Sequence, residues 1–86
     1  MNKFEFVLNQ AARLHKSGKK ITGGQLVILL NQNGYTTNYG TQYVGGRGVY
    51  KLIHAVYDWQ ISIGQKNNAD IIAYAFTNQD GEYAYP

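Results

Sequence analysis

Residue types that do covalent chemistry are scarce in this chain and poorly grouped. His15 and His54 are its two histidines, it has no cysteine, and neither histidine belongs to a set at metal-ligand spacing. His54 and Asp58 stand four apart, so on a helix they share a face. That pair reads as a surface hydrogen bond rather than a catalytic dyad. Ser17 and Ser62 sit in no nucleophile elbow. No compact window holds paired carboxylates for acid–base work. No catalytic, metal-binding or cofactor-binding residue is assigned, no cofactor is expected, and the chain is expected not to be an enzyme. Its function is sought in binding.

The sharpest binding feature is Gly45-Gly46-Arg47-Gly48. Glycines let a ligand approach the backbone and expose N–H groups to it. The segment leads into a helical pattern, and a helix start attracts anions. Arg47 adds a forked donor that suits phosphate or guanine. Neither a Walker loop nor a dinucleotide fingerprint is present. The competing reading is a tight loop whose glycines only permit unusual backbone angles. Just upstream, Tyr35, Tyr39 and Tyr43 recur every four residues among Thr36, Thr37, Asn38, Thr41 and Gln42. The polar residues can bond phosphates or base edges, and tyrosines can stack on unpaired bases. The plainer alternative has two of the three tyrosines packed at the core edge, and Tyr43, next to Val44, fits that role.

The elements that must position these residues are mainly helical. Phe4, Val7, Leu8, Ala11, Ala12 and Leu14 recur near helical spacing over residues 2–16. Asn2 and Glu5 form a capping-box pattern, and Ser17-Gly18 stops the helix. After the connector Lys19-Lys20-Ile21, Thr22 and Gln25 repeat that pattern. Leu26, Ile28, Leu29 and Leu30 supply the inward face of a second helix, which Asn33-Gly34 ends. Residues 35–48 form a long link that hides either a short extra turn or a functional loop. A third helix spans residues 48–63, with Val49, Leu52, Ile53, Val56, Tyr57 and Ile63 inward. Asn68 is placed as the cap of a fourth helix running to about Thr77, with Ala69, Ile72, Ala73 and Phe76 inward. Asp80-Gly81 signals a hairpin turn, its first strand near Ala75 to Asn78 and its second over Glu82-Tyr83-Ala84-Tyr85. A two-stranded wing starting at Ile71 is the alternative.

Length and charge narrow the class. Eighty-six residues make one domain, and its 15% charged and 44% hydrophobic content suits a folded globule. Residues 1–51 carry Lys3, Arg13, Lys16, Lys19, Lys20, Arg47 and Lys51 against Glu5 alone. Residues 52–86 carry Lys66 against Asp58, Asp70, Asp80 and Glu82. The net charge of +3 is therefore a basic first part and an acidic second part, which suggests one face for phosphates and another kept away from them. No signal peptide and no apolar run of membrane-spanning length is expected. With no disulfide available, a cytoplasmic location is expected.

Leu30-Asn31-x-x-Gly34-x-x-Thr37-x-x-Gly40-x-x-Tyr43, followed by Val49-x-x-Leu52-Ile53, resembles a segment of site-specific serine recombinases. Ile21-Thr22 and Leu26 fit the helix before it. Tyr43 stands where that family has tryptophan, the loop before Val49 is one residue longer, and glycines replace a Ser/Thr-rich helix start. The recombinase catalytic domain has no counterpart here. The resemblance covers roughly a third of the chain, around residues 21–57. It implies a helix-turn-helix module of the kind found in small phage or plasmid regulators.

The resulting expectation is a single helix-turn-helix or winged-helix-like domain over residues 1–86. It has three to four helices and a small C-terminal β-hairpin. It is expected to bind double-stranded DNA, as one copy or as a homodimer, in a regulatory protein of phage, plasmid or bacterial origin. Arg47, Tyr50 and Lys51 are expected at the exposed start of the reading helix, with His54 one turn on. Thr41 and Gln42 lie before it, and Lys16, Lys19 and Lys20 hold the phosphate backbone beside it. The alternative is a protein–protein module, an inhibitor or adaptor, motivated by the tyrosine-rich surface.

Overall fold

A computed structural model describes residues 2–45, 47–78 and 80–82, and only the backbone of Arg47; the described residues form four helices and one minimal sheet. Helix α1 runs Lys3–Ser17. Its start is fixed by the Asn2 side chain, which accepts from the Glu5 N–H at 2.8 Å, while Asn2 N–H donates to Glu5 Oε1 at 3.2 Å. Two otherwise orphaned donors are satisfied in this way. Gly18, at φ 67°, closes the helix in the left-handed conformation. Strand β1, Ile21–Thr22, leads into α2, Gly23–Gln32. The second capping box forms as its spacing predicts: Gln25 N–H donates to Thr22 Oγ1 at 3.2 Å and Thr22 N–H to Gln25 Oε1 at 2.8 Å.

After the link come α3, Arg47–Ser62, and α4, Lys66–Ala75, then β2, Phe76–Thr77. Helix α4 packs against both α1 and α3, and α2 packs against α3. The core between them holds Phe6, Val7, Ala11, Leu26, Val27, Leu30, Val49, Leu52, Ile53, Val56, Ile72 and Phe76. In α2 the inward face differs from expectation. Val27 is buried and Ile28 is 56% exposed, because five apolar residues in a row, Leu26 to Leu30, leave the phase of a ten-residue helix to its neighbours. Ile63 lies beyond the end of α3 and is exposed.

Two further expectations are corrected at the C-terminal end. Asn68 does not cap α4. Gln65 occupies that position without a side-chain cap, and Asn68, one turn inside, donates from Nδ2 to the buried Gln60 Oε1 at 3.0 Å. The strand expected near Ala75 to Asn78 is present as β2, but its assigned partner is β1. The pair is parallel, with Ile21 opposite Phe76 and Thr22 opposite Thr77. The Asp80-Gly81 turn does form, with Asn78 N–H donating to the Glu82 carbonyl at 2.7 Å. The second arm, Tyr83 to Tyr85, lies outside the described residues. Among the described residues no antiparallel wing is assigned.

Candidate nucleic-acid interface

Among its described residues the long link between α2 and α3 contains no helix, and Tyr35, Tyr39 and Tyr43 form no helical stripe. Three anchors hold it instead. At its near end the Tyr35 ring lies 4.9 Å from that of Phe6. At its far end Asn31 clasps the Tyr43 backbone on both sides: Nδ2 donates to the carbonyl at 2.9 Å and Oδ1 accepts from the N–H at 3.0 Å. Tyr43 itself is 6% exposed and belongs to the core. Between these ends a turn is closed by Thr37 N–H to the Thr41 carbonyl at 2.8 Å, with the two threonine hydroxyls 2.8 Å apart. Gly40 gives this turn its left-handed residue at φ 78°.

Lys3 supplies the third anchor, a role that its place in the sequence does not announce. It sits in the first turn of α1, where the helix dipole disfavours a cation. Its ammonium reaches across to donate to the Thr36 carbonyl at 2.7 Å and lies 5.2 Å from the Tyr43 ring centroid. A charged side chain at an unfavourable helix position is the one signal of it in the sequence.

Lys3, Thr37, Asn38, Tyr39, Thr41, Gly48 and Lys51 are brought together around one open groove of about 570 Å³. Its floor includes Phe4, Leu52 and Ala55. Helix α3 begins at its rim, with the early backbone N–H groups that a helix leaves without internal partners. Among the described glycines here, Gly45 and Gly48 serve neither of the usual needs. Gly45 and Gly48 do not have positive φ, and a Cβ on either would meet nothing within 4 Å. The competing reading, glycine for backbone geometry alone, therefore does not account for these two.

Not all expected residues join this groove. Tyr50 is half-buried and faces the sheet. Its hydroxyl donates to the Thr77 carbonyl at 3.2 Å, and its ring covers Gly23 so closely that a Cβ there would lie 2.7 Å from Cζ. It is a strut between α2, α3 and β2, not an exposed reading residue; the reason is that position 50 falls on the same side of α3 as Ile53, which is fully buried. Lys51, one position on, is exposed. His54 is half-buried and Asp58 exposed, and each is engaged in interactions of its own. Thr41 lines the groove, while Gln42 is exposed beside it. Arg47 opens α3 with its backbone; its side chain lies outside the described residues.

Lys16, Lys19 and Lys20 are exposed at the opposite end of α1. Lys19 and Lys20 line a second groove with His15, Ile71 and Tyr74. Fifteen residues of helix, at 1.5 Å each, put about 22 Å between Lys3 and this group. The described lysines of residues 1–51 thus divide, Lys3 and Lys51 beside the start of α3 and Lys16, Lys19 and Lys20 at the far end of α1. Among the described residues no three histidine, aspartate or glutamate side chains gather as a metal site, and no helix is long and apolar enough to cross a membrane. Comparison with protein-family models, with curated proteins and with solved structures finds no match.

Proposed function

We propose that this chain is a DNA-binding protein that engages the phosphate backbone through the groove beside the start of α3. The observation that supports this most is Lys3 and Lys51 lining one groove with Gly48 of the first turn of α3 and with the polar groups of Thr37, Asn38 and Thr41. Cations hold phosphates without regard to sequence, and a helix start adds backbone donors for an anion. Arg47, the first residue of α3, is the base-reading candidate. Lys16, Lys19 and Lys20 hold the backbone at a second point about 22 Å away, the length of α1. On this reading the protein is a small cytoplasmic regulator of phage, plasmid or bacterial origin.

The test is a fluorescence-anisotropy titration of random-sequence and selected duplexes at several salt concentrations. Lys3→Ala, Lys51→Ala and Lys19→Ala should each weaken binding to all sequences and lower the salt slope by about 0.9 for each phosphate that is no longer neutralised. Arg47→Ala should cost about 1–3 kcal/mol on the selected duplex and blunt its preference. Alanine variants that all bind like the parent would end this reading.

A protein partner is the second reading, favoured by Tyr39 at 93% and Val44 at 77% exposure on the same link. Affinity for such a partner should hardly change with salt, since it rests on apolar contact rather than counterion release.

A further inference from the structure

Tyr39 is the least expected residue of the link. The tyrosines four residues to either side turn inward, Tyr35 onto Phe6 and Tyr43 into the core, while Tyr39 stands 93% exposed at the tip. Exposed single aromatics are common on protein surfaces. Here the backbone is held on both sides. Gly40 N–H donates to the Thr37 carbonyl at 2.9 Å, Tyr39 N–H to Thr37 Oγ1 at 3.3 Å, and Lys3 fixes the Thr36 carbonyl from α1. A tyrosine side chain has two rotatable bonds, so little entropy is lost when it is used for contact. The chain therefore presents an exposed aromatic ring on a held backbone, at the edge of a groove lined by two lysines.

Resting on the DNA-binding reading of this groove, we infer that Tyr39 is a stacking residue for an unpaired base, and that the preferred ligand is DNA with an unpaired nucleotide beside a duplex. The chemistry of the groove divides accordingly. Lys3 and Lys51 meet the phosphates, whose charge is the same in any strand. An extended face such as that of Tyr39 stacks on a base only where the base is released from its own neighbours. Asn38, adjacent in sequence and lining the same groove, offers both donor and acceptor to the edge of that base.

Three labelled probes of one sequence separate the possibilities: a fully paired duplex, the same duplex with one bulged nucleotide, and the bulged duplex with an abasic site at that nucleotide. The parent protein should bind the bulged probe roughly tenfold or more tightly than the other two, the scale of one base–aromatic stack. Tyr39→Ala should lose that preference, binding the bulged probe no more tightly than the paired duplex. Tyr39→Phe, which keeps the ring, should retain it. Equal binding of all three probes by the parent, or a Tyr39→Ala protein that still prefers the bulge, overturns the stacking role and leaves the DNA-binding reading standing. Binding to none of the probes overturns both. Thermal melting of each variant controls for folding, and with the ring so exposed no change is expected.

Discussion

Gly23→Ala gives the most direct test of where Tyr50 points. A Cβ at residue 23 would lie 2.7, 2.8 and 3.0 Å from Cζ, the hydroxyl oxygen and Cε1 of Tyr50. Carbon atoms pack comfortably at about 3.5–4 Å, so the ring must retreat by roughly 0.8 Å or more. The Tyr50 hydroxyl already reaches the Thr77 carbonyl at 3.2 Å, and a retreat of that size breaks the bond. Overpacking costs about 1–3 kcal/mol and the lost hydrogen bond about 1 kcal/mol more. Alanine at the first position of α2 returns up to about 1 kcal/mol through its helix preference. The net destabilisation should be about 1–3 kcal/mol. In a domain of this size each kcal/mol lowers the melting temperature by about 4–8 °C.

Circular-dichroism melts and urea titrations of Gly23→Ala, Gly24→Ala, Tyr50→Ala and the Gly23→Ala/Tyr50→Ala pair supply the measurement. Gly24 is the internal control, because a Cβ there would have Thr22 Oγ1 at 3.7 Å as its nearest neighbour, and its substitution should be neutral or slightly stabilising. In the Tyr50→Ala background the Gly23 substitution should lose most of its cost, since the clashing ring is gone. If Gly23→Ala melts as high as the parent, or costs the same with and without the Tyr50 ring, then Tyr50 is not a strut. It would again be available to face a ligand.

Tyr50→Phe should lower stability by about 1 kcal/mol in denaturant titrations and leave DNA affinity unchanged in anisotropy measurements. Asn31→Ala removes both bonds to the Tyr43 backbone. It should destabilise the fold by about 1–3 kcal/mol, with faster proteolytic cleavage within residues 33–45. Thr22→Ala removes one half of the α2 capping box and should cost about 1 kcal/mol, read as a lower urea midpoint at unchanged slope.

What could be read from the sequence was local. The Asn2/Glu5 and Thr22/Gln25 capping boxes depend on residues three apart, and both form as their spacing predicts. Gly18, Gly34 and Gly64 end or follow helices in the left-handed conformation, again a neighbourly effect. The pairing of Phe76–Thr77 with Ile21–Thr22 could not be read in this way. Alternation of side chains indicates a strand, but not which distant segment it will meet. Within the candidate site, the glycine-rich entry to α3 and the role of Tyr43 were legible. The orientation of Tyr50 and the reach of Lys3 to Thr36 were not, because each is decided by an element far along the chain. The division of these lysines between the start of α3 and the far end of α1 follows from the same limit: residues close in sequence at Lys16 to Lys20 are carried away from Lys51 by the length of a helix.

The seam between Ile21–Thr22 and Phe76–Thr77 has a consequence for the order in which the molecule is made. Tyr50 braces the first turns of α3 against Thr77, so that end of the helix reaches its final setting only after residue 77 has docked. During synthesis at about 5–20 residues per second, α1 and α2 leave the ribosome well before their partner strand exists. The groove beside the start of α3 is consequently among the last parts of the nascent chain to mature.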